Sequence, residues 1–340
     1  MIEQETTEAL SLTNSVIIEI HTASFRVTRG YTLAAALCDE VAFWRDDSGA
    51  NPDTEILQAL RPGLSSIPGA MLLIASSPYA KRGVLYSSYR RHYGDDASRV
   101  LVWKAGTAAM NPRIDPAIIE QAVEADPQSA AAEYFAEFRD DISGFVTRET
   151  VDACTALGRM ELPPMASTDY VAFVDPSGGS SDSMTMAVAH LEDDRPVLDL
   201  VREIKAPFSP DKAVEEFASV LRAYGISKVV GDRYAGAWVG ERFSVHNLQY
   251  EPSEKPKSAL YIELLPLLTG GRAELLDVPR LISQLVALER RTARGGRDSV
   301  DHVPGAHDDL ANAAAGALVL AAQKDSLAYD LLGAMGISKD

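Results

Sequence analysis

An α/β fold in two parts is predicted for this 340-residue chain by three observations. Short apolar runs recur along it, each stopped by Asp, Ser, Gly or Pro: Leu33–Cys38, Ala70–Ala75, Tyr170–Val174 and Val229–Gly231. Runs of that length bounded by turn formers are strands. Between them lie longer amphipathic stretches such as Pro210–Tyr224, whose apolar residues recur at helical spacing. The proline pair in Leu162-Pro163-Pro164-Met165-Ala166-Ser167 then breaks the pattern, which places a domain boundary near residue 160.

Composition narrows the functional classes. With 46% hydrophobic and 24% charged residues the chain is ordinary globular material. It carries 32 basic and 49 acidic residues, a net charge of −17. Residues 1–150 hold 13 basic and 21 acidic residues (−8), leaving 19 and 28 (−9) for the rest. Neither half is a basic nucleic-acid module, so binding to phosphates requires a local patch or metal ions. Cys38 and Cys154 lie far apart with no CxxC spacing, which argues against a disulfide framework or a zinc site and fits a reducing cytoplasm. No signal peptide is visible, and no apolar run is long enough to cross a membrane; the segment Leu310–Ala322 is expected to be a buried helix.

In chain order, residues 1–15 are polar and expected to be disordered, and Val16–Ile20 is a strand. The run Leu33–Cys38 feeds directly into Asp39-Glu40. In P-loop proteins such a pair forms Walker B, where the aspartate holds Mg²⁺ and the glutamate orients water. The next strand, Ala70–Ala75, ends in Ser76-Ser77-Pro78, and neighbouring parallel strands with small polar residues at their carboxyl ends make a nucleotide crevice. A working P-loop also requires GxxxxGK[ST] ahead of Walker B. The chain has no Gly-Lys dipeptide, and fewer than forty residues precede Asp39. An incomplete P-loop ATPase-type domain is therefore expected over residues 16–160, with Asp39, Glu40, Ser76 and Ser77 as a partial nucleotide site. Helices are expected from Val84, over Pro116–Glu124 and over Gln128–Arg139, the last with Phe135 and Phe138 on a packing face. Trp44, Trp103 and Trp238 are expected to pack.

The second part opens with three strands at about 170–175, 184–191 and 196–204, then alternates helix and strand. A helix is expected from Pro279 to Arg291, a Gly-rich hairpin from Arg294 to Val303, and a final helix from Asp308. Met184 and Met186 alternate as core residues. His302 and His307 are expected to hydrogen-bond their loop. Three separated segments each bring a carboxylate to a strand end or helix start: Asp175, Asp232 and the Asp308-Asp309 pair. Hard-cation sites are assembled in this way.

Several motifs together resemble the large terminase subunit of tailed bacteriophages, a DNA-packaging motor fused to a nuclease. They are LAAALCDEVAFW (Leu33–Trp44), LLIASSPYAKRG (Leu72–Gly83), EYFAEFRDDISGFV (Glu133–Val146), FVDPSGG, VVGDRYAG, the Lys257–Tyr261 stretch, and DHVPGAHDDLANAAAG (Asp301–Gly316), the most specific. The resemblance runs from about Val16 to Gln323. It implies a ribonuclease-H-like nuclease domain over 161–325 with a tail at 326–340. It further implies that Asp175, Asp232, Asp308 and Asp309 are the catalytic metal ligands, with Asp182 as an outer participant. Two Mg²⁺ or Mn²⁺ ions roughly 3.5–4 Å apart would serve phosphodiester hydrolysis. In that scheme Asp175 bridges, Asp232 holds one ion, and Asp308 or Asp309 holds the other. Implied partners are double-stranded DNA, the small terminase subunit and the portal protein, in the host cytoplasm. Arg233, Arg290, Arg291, Arg294 and Arg297 are candidate DNA contacts, and ATP is implied only with a supplied Walker A segment. Two alternatives stay open: a non-catalytic prophage remnant or docking module, and another ribonuclease-H-like enzyme such as a transposase or resolvase.

Overall fold

The computed structural model describes residues 2–23, 30–44, 52–180, 182–232, 237–292, 298–303 and 306–334. They group into two compact units, Met1–Ile142 and Ser143–Asp340. Among the described residues no helix is long and apolar enough to cross a membrane, and Cys38 and Cys154 are free and buried.

In the first unit, residues 2–15 are not without structure. They form β1 (Ile2–Glu5) and β2 (Ala9–Leu12), which pair antiparallel and continue into β3 (Ile17–Glu19). Backbone pairing and the Ala9 N–H to Thr6 Oγ1 bond (3.0 Å) close the first hairpin, so it needs no apolar run to announce it. Strands β4 (Ala35–Cys38) and β5 (Met71–Ile74) pair in parallel, Cys38 opposite Ile74. The helix between them, α1 (Asp53–Ser65), packs Ile56, Leu57 and Leu60 against Cys38 and Val41. Buried Asp53 accepts from Thr54 N and from Val84 N, both at 2.6 Å, and so ties α1 to the start of α2 (Gly83–His92). After α3 (Thr107–Met110), Asp115 and Asp126 cap α4 (Pro116–Ala125) and α5 (Pro127–Phe135), each with proline at the first turn. Helix α5 stops at Phe135 because Ala136 takes a left-handed conformation (φ 56°). Phe138 therefore lies beyond the helix, against the rings of Tyr86 and Tyr89, and the expected joint packing face with Phe135 is corrected. Trp103 is also corrected: it is 80% exposed, whereas Trp44 packs on the first unit's core.

The chain passes between units at β6 (Ile142–Gly144). Next come α6 (Arg148–Cys154) and β7 (Thr155–Ala156), whose Val151 and Cys154 share a core with Leu264 and Leu268. Residues 143–160, grouped by sequence with the first domain, thus pack in the second unit. Its remaining elements are β8 (Tyr170–Asp175), β9 (Met184–Glu192), β10 (Arg195–Ile204), α7 (Pro210–Ala223), β11 (Lys228–Gly231), α8 (Ala237–Val245), β12 (Gln249–Pro252), α9 (Lys257–Thr269), β13 (Leu275–Leu276), α10 (Pro279–Ala287), β14 (Glu289–Thr292), β15 (Asp298–Asp301) and α11 (Asp309–Ala334). The central sheet runs β10-β9-β8-β11-β12. Its first three strands are antiparallel, and β11 and β12 run parallel to β8 and to each other. This is the ribonuclease-H-like arrangement.

Both faces of the sheet are covered, which is why β8 is apolar almost throughout. Ala172, Val174, Met184, Met186 and Val188 pack with Val214, Phe217 and Leu221 of α7, while Phe173, Ala187 and Ala189 pack with α9, α10 and α11. In β10 the register shifts between Leu198 and Leu200, with Asp199 as the extra residue. Leu198 and Leu200 consequently enter opposite cores. Asp199 is fully buried, bonded to His190 Nδ1 at 2.8 Å, and burial pushes its carboxyl up to about 6.

Helix α10 ends at Ala287 rather than Arg291, because Leu288 is extended and Glu289–Thr292 pair antiparallel with Asp298–Asp301. The leucine spacing of α10 gives no sign of that switch. Helix α11 lies close over the sheet: a Cβ at Gly316 would meet Phe173 Cγ at 2.2 Å. Gly316→Ala is expected to destabilise the protein by about 1–3 kcal/mol through overpacking, measured as a lower urea midpoint at unchanged slope.

Candidate metal centre

Strands β8 and β11 are parallel neighbours, with Val230 opposite Phe173 and Gly231 opposite Val174. Asp175 and Asp232 therefore emerge side by side at the carboxyl edge of the sheet. Gly231 is required there, since a Cβ would sit 2.6 Å from the Tyr250 ring and 2.7 Å from the Val174 carbonyl. That fit lets Asp232 N–H donate to Val174 O (3.1 Å) and Tyr250 Oη donate to Asp232 O (2.8 Å). Thr185 Oγ1 donates to the Asp309 carbonyl (2.7 Å) and ties the start of α11 to the same edge. The result is a cavity of about 560 Å³ lined by Asp175, Asp182, Asp232, Asp308 and Asp309, together with Lys257, Trp238, His302, His307 and Asn312. The four sequence-predicted carboxylates meet there.

Crowding of carboxylates away from water sets the electrostatics. Burial pushes Asp175 up to about 7; a hydrogen bond from Asn312 opposes the rise, and Asp309, Asp232 and Asp308 add to it. Asp309 is pushed up to about 6, first by burial and then by Asp308. Both shifts come first from burial, with the neighbouring carboxylates adding to it. Asn312 Nδ2 donates to Asp175 Oδ2 at 2.8 Å. Asp309 Oδ2 and Asn312 Oδ1, both shut off from solvent, have no hydrogen-bond partner among the described residues. Buried acceptors left unpaired are costly, by about 1–3 kcal/mol each. All-oxygen donors, several of them carboxylates with unused lone pairs, suit a hard divalent cation.

The two aspartates at the start of α11 have different surroundings. Asp308 is 5% exposed and accepts from Tyr261 Oη at 2.8 Å and from Lys257 Nζ at 3.2 Å. Its carbonyl accepts the Asn312 N–H (2.8 Å), so the backbone, not the side chain, begins the helix. Burial alone would lower the Lys257 ammonium, but Asp308 and Asp301 more than offset it and hold it above its ordinary value. Asp309 keeps an oxygen without a partner among the described residues.

The other predicted residues take outer or separate places. Asp182 lines the cavity rim with a largely exposed side chain, 3.9 Å from His307. His302 Nδ1 bonds the Val303 carbonyl at 2.8 Å, the loop role expected of it. Arg290 pairs with Asp298 across the β14–β15 hairpin, and Arg291 donates to the His302 carbonyl at 3.4 Å. Arg233, Arg294 and Arg297 lie outside the described residues. In the first unit, Asp39, Glu40, Ser76 and Ser77 follow the ends of β4 and β5. Ser76 Oγ accepts from Ala42 N (3.2 Å) and lies 3.4 Å from a Glu40 carboxylate oxygen, and Ser77 Oγ donates to Glu133 (3.2 Å). Sequence reasoning gave no role to Lys257, Tyr261, Asp301 or Asn312. Lys257 and Tyr261 stand one helical turn apart, and Asn312 follows Asp308 by the same spacing, a signal available from the sequence.

No protein-family model matches the chain, and no curated protein matches it in sequence. Among solved structures, the chain is similar to the large terminase nuclease from thermophilic phage G20c, at 17% identity and a TM-score of 0.44, covering 49% of this chain and 94% of that one. It is similar to the HK97 bacteriophage large terminase at 15% identity and a TM-score of 0.43, covering 93% of this chain and 77% of that one. Similarity to the large terminase from another thermophilic bacteriophage is at 11% identity and a TM-score of 0.44, covering 86% of this chain and 70% of that one.

Proposed function

We propose that the second unit is a divalent-cation-dependent endonuclease of the large-terminase kind, cutting double-stranded DNA. The observation that carries this is the convergence of Asp175, Asp232 and Asp309 on one cavity, with Asp309 Oδ2 buried and unpaired among the described residues. These three would hold Mg²⁺ or Mn²⁺, as two ions sharing Asp175. A cation held there supplies Lewis acidity toward a phosphate oxygen and acidifies a bound water. Asn312 Nδ2 fixes one oxygen of Asp175 and leaves the other for the cavity. Ser177 and Gly178 line the cavity beside Asp175, where small residues leave room for a phosphate backbone. With 49 acidic residues against 32 basic, the chain would reach DNA through the cations and a local basic set. Arg290 and Arg291, with Arg233, Arg294 and Arg297, are proposed for that set.

In the first unit, Asp39, Glu40, Ser76 and Ser77 are proposed as part of a nucleotide site that acts on ATP only when a phosphate-binding loop is supplied. The small terminase subunit and portal protein are the proposed partners.

The test is cleavage of supercoiled plasmid by the purified chain. Nicking is expected with Mg²⁺ or Mn²⁺ and none with EDTA. A folded chain that leaves plasmid intact at millimolar Mn²⁺ would overturn the nuclease assignment in favour of a non-catalytic docking role.

A further inference from the structure

We infer that Lys257 is a positioning residue that partitions the acidic cluster: its ammonium engages Asp301 and Asp308, leaving Asp309 as the α11 carboxylate open to a divalent cation. The inference rests on the metal site proposed above and deepens it.

Lys257 Nζ lies 2.9 Å from Asp301 Oδ1, and 3.2 and 3.0 Å from Asp308 Oδ1 and Oδ2. One turn along α9, Tyr261 Oη donates to the same Asp308 Oδ2 at 2.8 Å. Both oxygens of Asp308 are thus engaged by donors on a rigid helix. Asp301 Oδ1 also accepts the His302 N–H at 2.9 Å. Asp301, His302 and Asp308 each place one ligand atom within 4.8 Å of the others, the spacing of a metal cluster. The lysine ammonium already supplies a positive charge to its two carboxylates. Asp309 is not reached by that ammonium, and its Oδ2 has no hydrogen-bond partner among the described residues.

Two consequences separate this from a merely structural ion pair. In the wild type, cation binding depends on Asp309 and not on Asp308. Without the ammonium, Asp301 and Asp308 face each other uncompensated and, with His302, gain affinity for an additional divalent ion.

Mn²⁺ titration of the full chain, followed by electron paramagnetic resonance and calorimetry with circular dichroism as the fold control, tests both. Asp309→Asn is expected to weaken wild-type binding by about tenfold or more, and Asp308→Asn by less than about threefold. Lys257→Met is expected to bind one more Mn²⁺ per chain than wild type, an increment that Asp308→Asn removes. Lys257→Arg keeps the wild-type stoichiometry. A folded Lys257→Met with wild-type stoichiometry, or an Asp308→Asn as deficient as Asp309→Asn, overturns the inference while leaving the metal site standing. A wild-type chain that binds no Mn²⁺ overturns both.

Discussion

Asp175→Asn is expected to abolish cation-dependent plasmid nicking, lowering the rate by roughly a thousandfold or more, about 4 kcal/mol in the barrier. Asp175 sits at the end of the central strand, is the most strongly shifted carboxyl facing the cavity, and is the one proposed to be shared between ions. Asparagine has the same shape, and its amide oxygen can still accept from Asn312 Nδ2, so the fold is expected to survive. Time courses of nicking with circular dichroism as control check this. Wild-type rates from the folded variant would remove Asp175 from the mechanism.

The same substitution is expected to make the cation-free protein more stable at neutral pH. The Asp175 carboxyl titrates near 7 in the folded chain against an ordinary value of 3.8, so between those values the folded state holds a proton that the unfolded state has released. Its contribution to stability is fully present below about pH 4 and is lost as pH rises through 7, on the order of 4 kcal/mol. Asp309, pushed up to about 6, acts in the same direction over a narrower range. In EDTA, the urea midpoint of the wild type should therefore fall between about pH 4 and 7, and Asp175→Asn should flatten most of that fall. Saturating Mg²⁺ should restore the wild type at pH 8, because the ion takes the charge the proton gave up. A wild-type midpoint independent of pH in EDTA would refute the burial-driven shift.

What the sequence made legible was whatever depends on local pattern. Apolar runs ending in Asp175 and Asp232 read directly as strand ends, because a strand fixes where its last residue lies. The helices expected from Pro116 and Gln128 are likewise local, and the structure starts them at Pro116 and Pro127 under the caps Asp115 and Asp126. Contacts between distant segments were not legible. Nothing near Lys257 says that it meets Asp301 and Asp308, more than forty residues away, and only the packing of α9 against β15 and α11 brings them together. Asp308 and Asp309 look equivalent as neighbours, yet one is taken by Tyr261 and the other is not. Helical spacing groups Phe138 with Phe135, but the left-handed turn at Ala136 ends the helix between them, and Trp103, expected to pack, sits in the exposed run around Leu101.

The run of small residues on α11, with Ala311, Ala313, Ala314, Ala315 and Gly316 buried against the core, gives the centre a mechanical dependence. Asp309 is carried on the first turn of a helix seated almost directly on the Phe173 ring, so the separation of helix and sheet sets how far its carboxylate stands from Asp175. A methyl group added deep in that seam would act as a shim, lifting the helix and widening the gap between ligands at its end. Core residues with no contact to solvent would then behave as calibration points for the proposed metal centre, where ångström-scale tolerance is lost before the fold is.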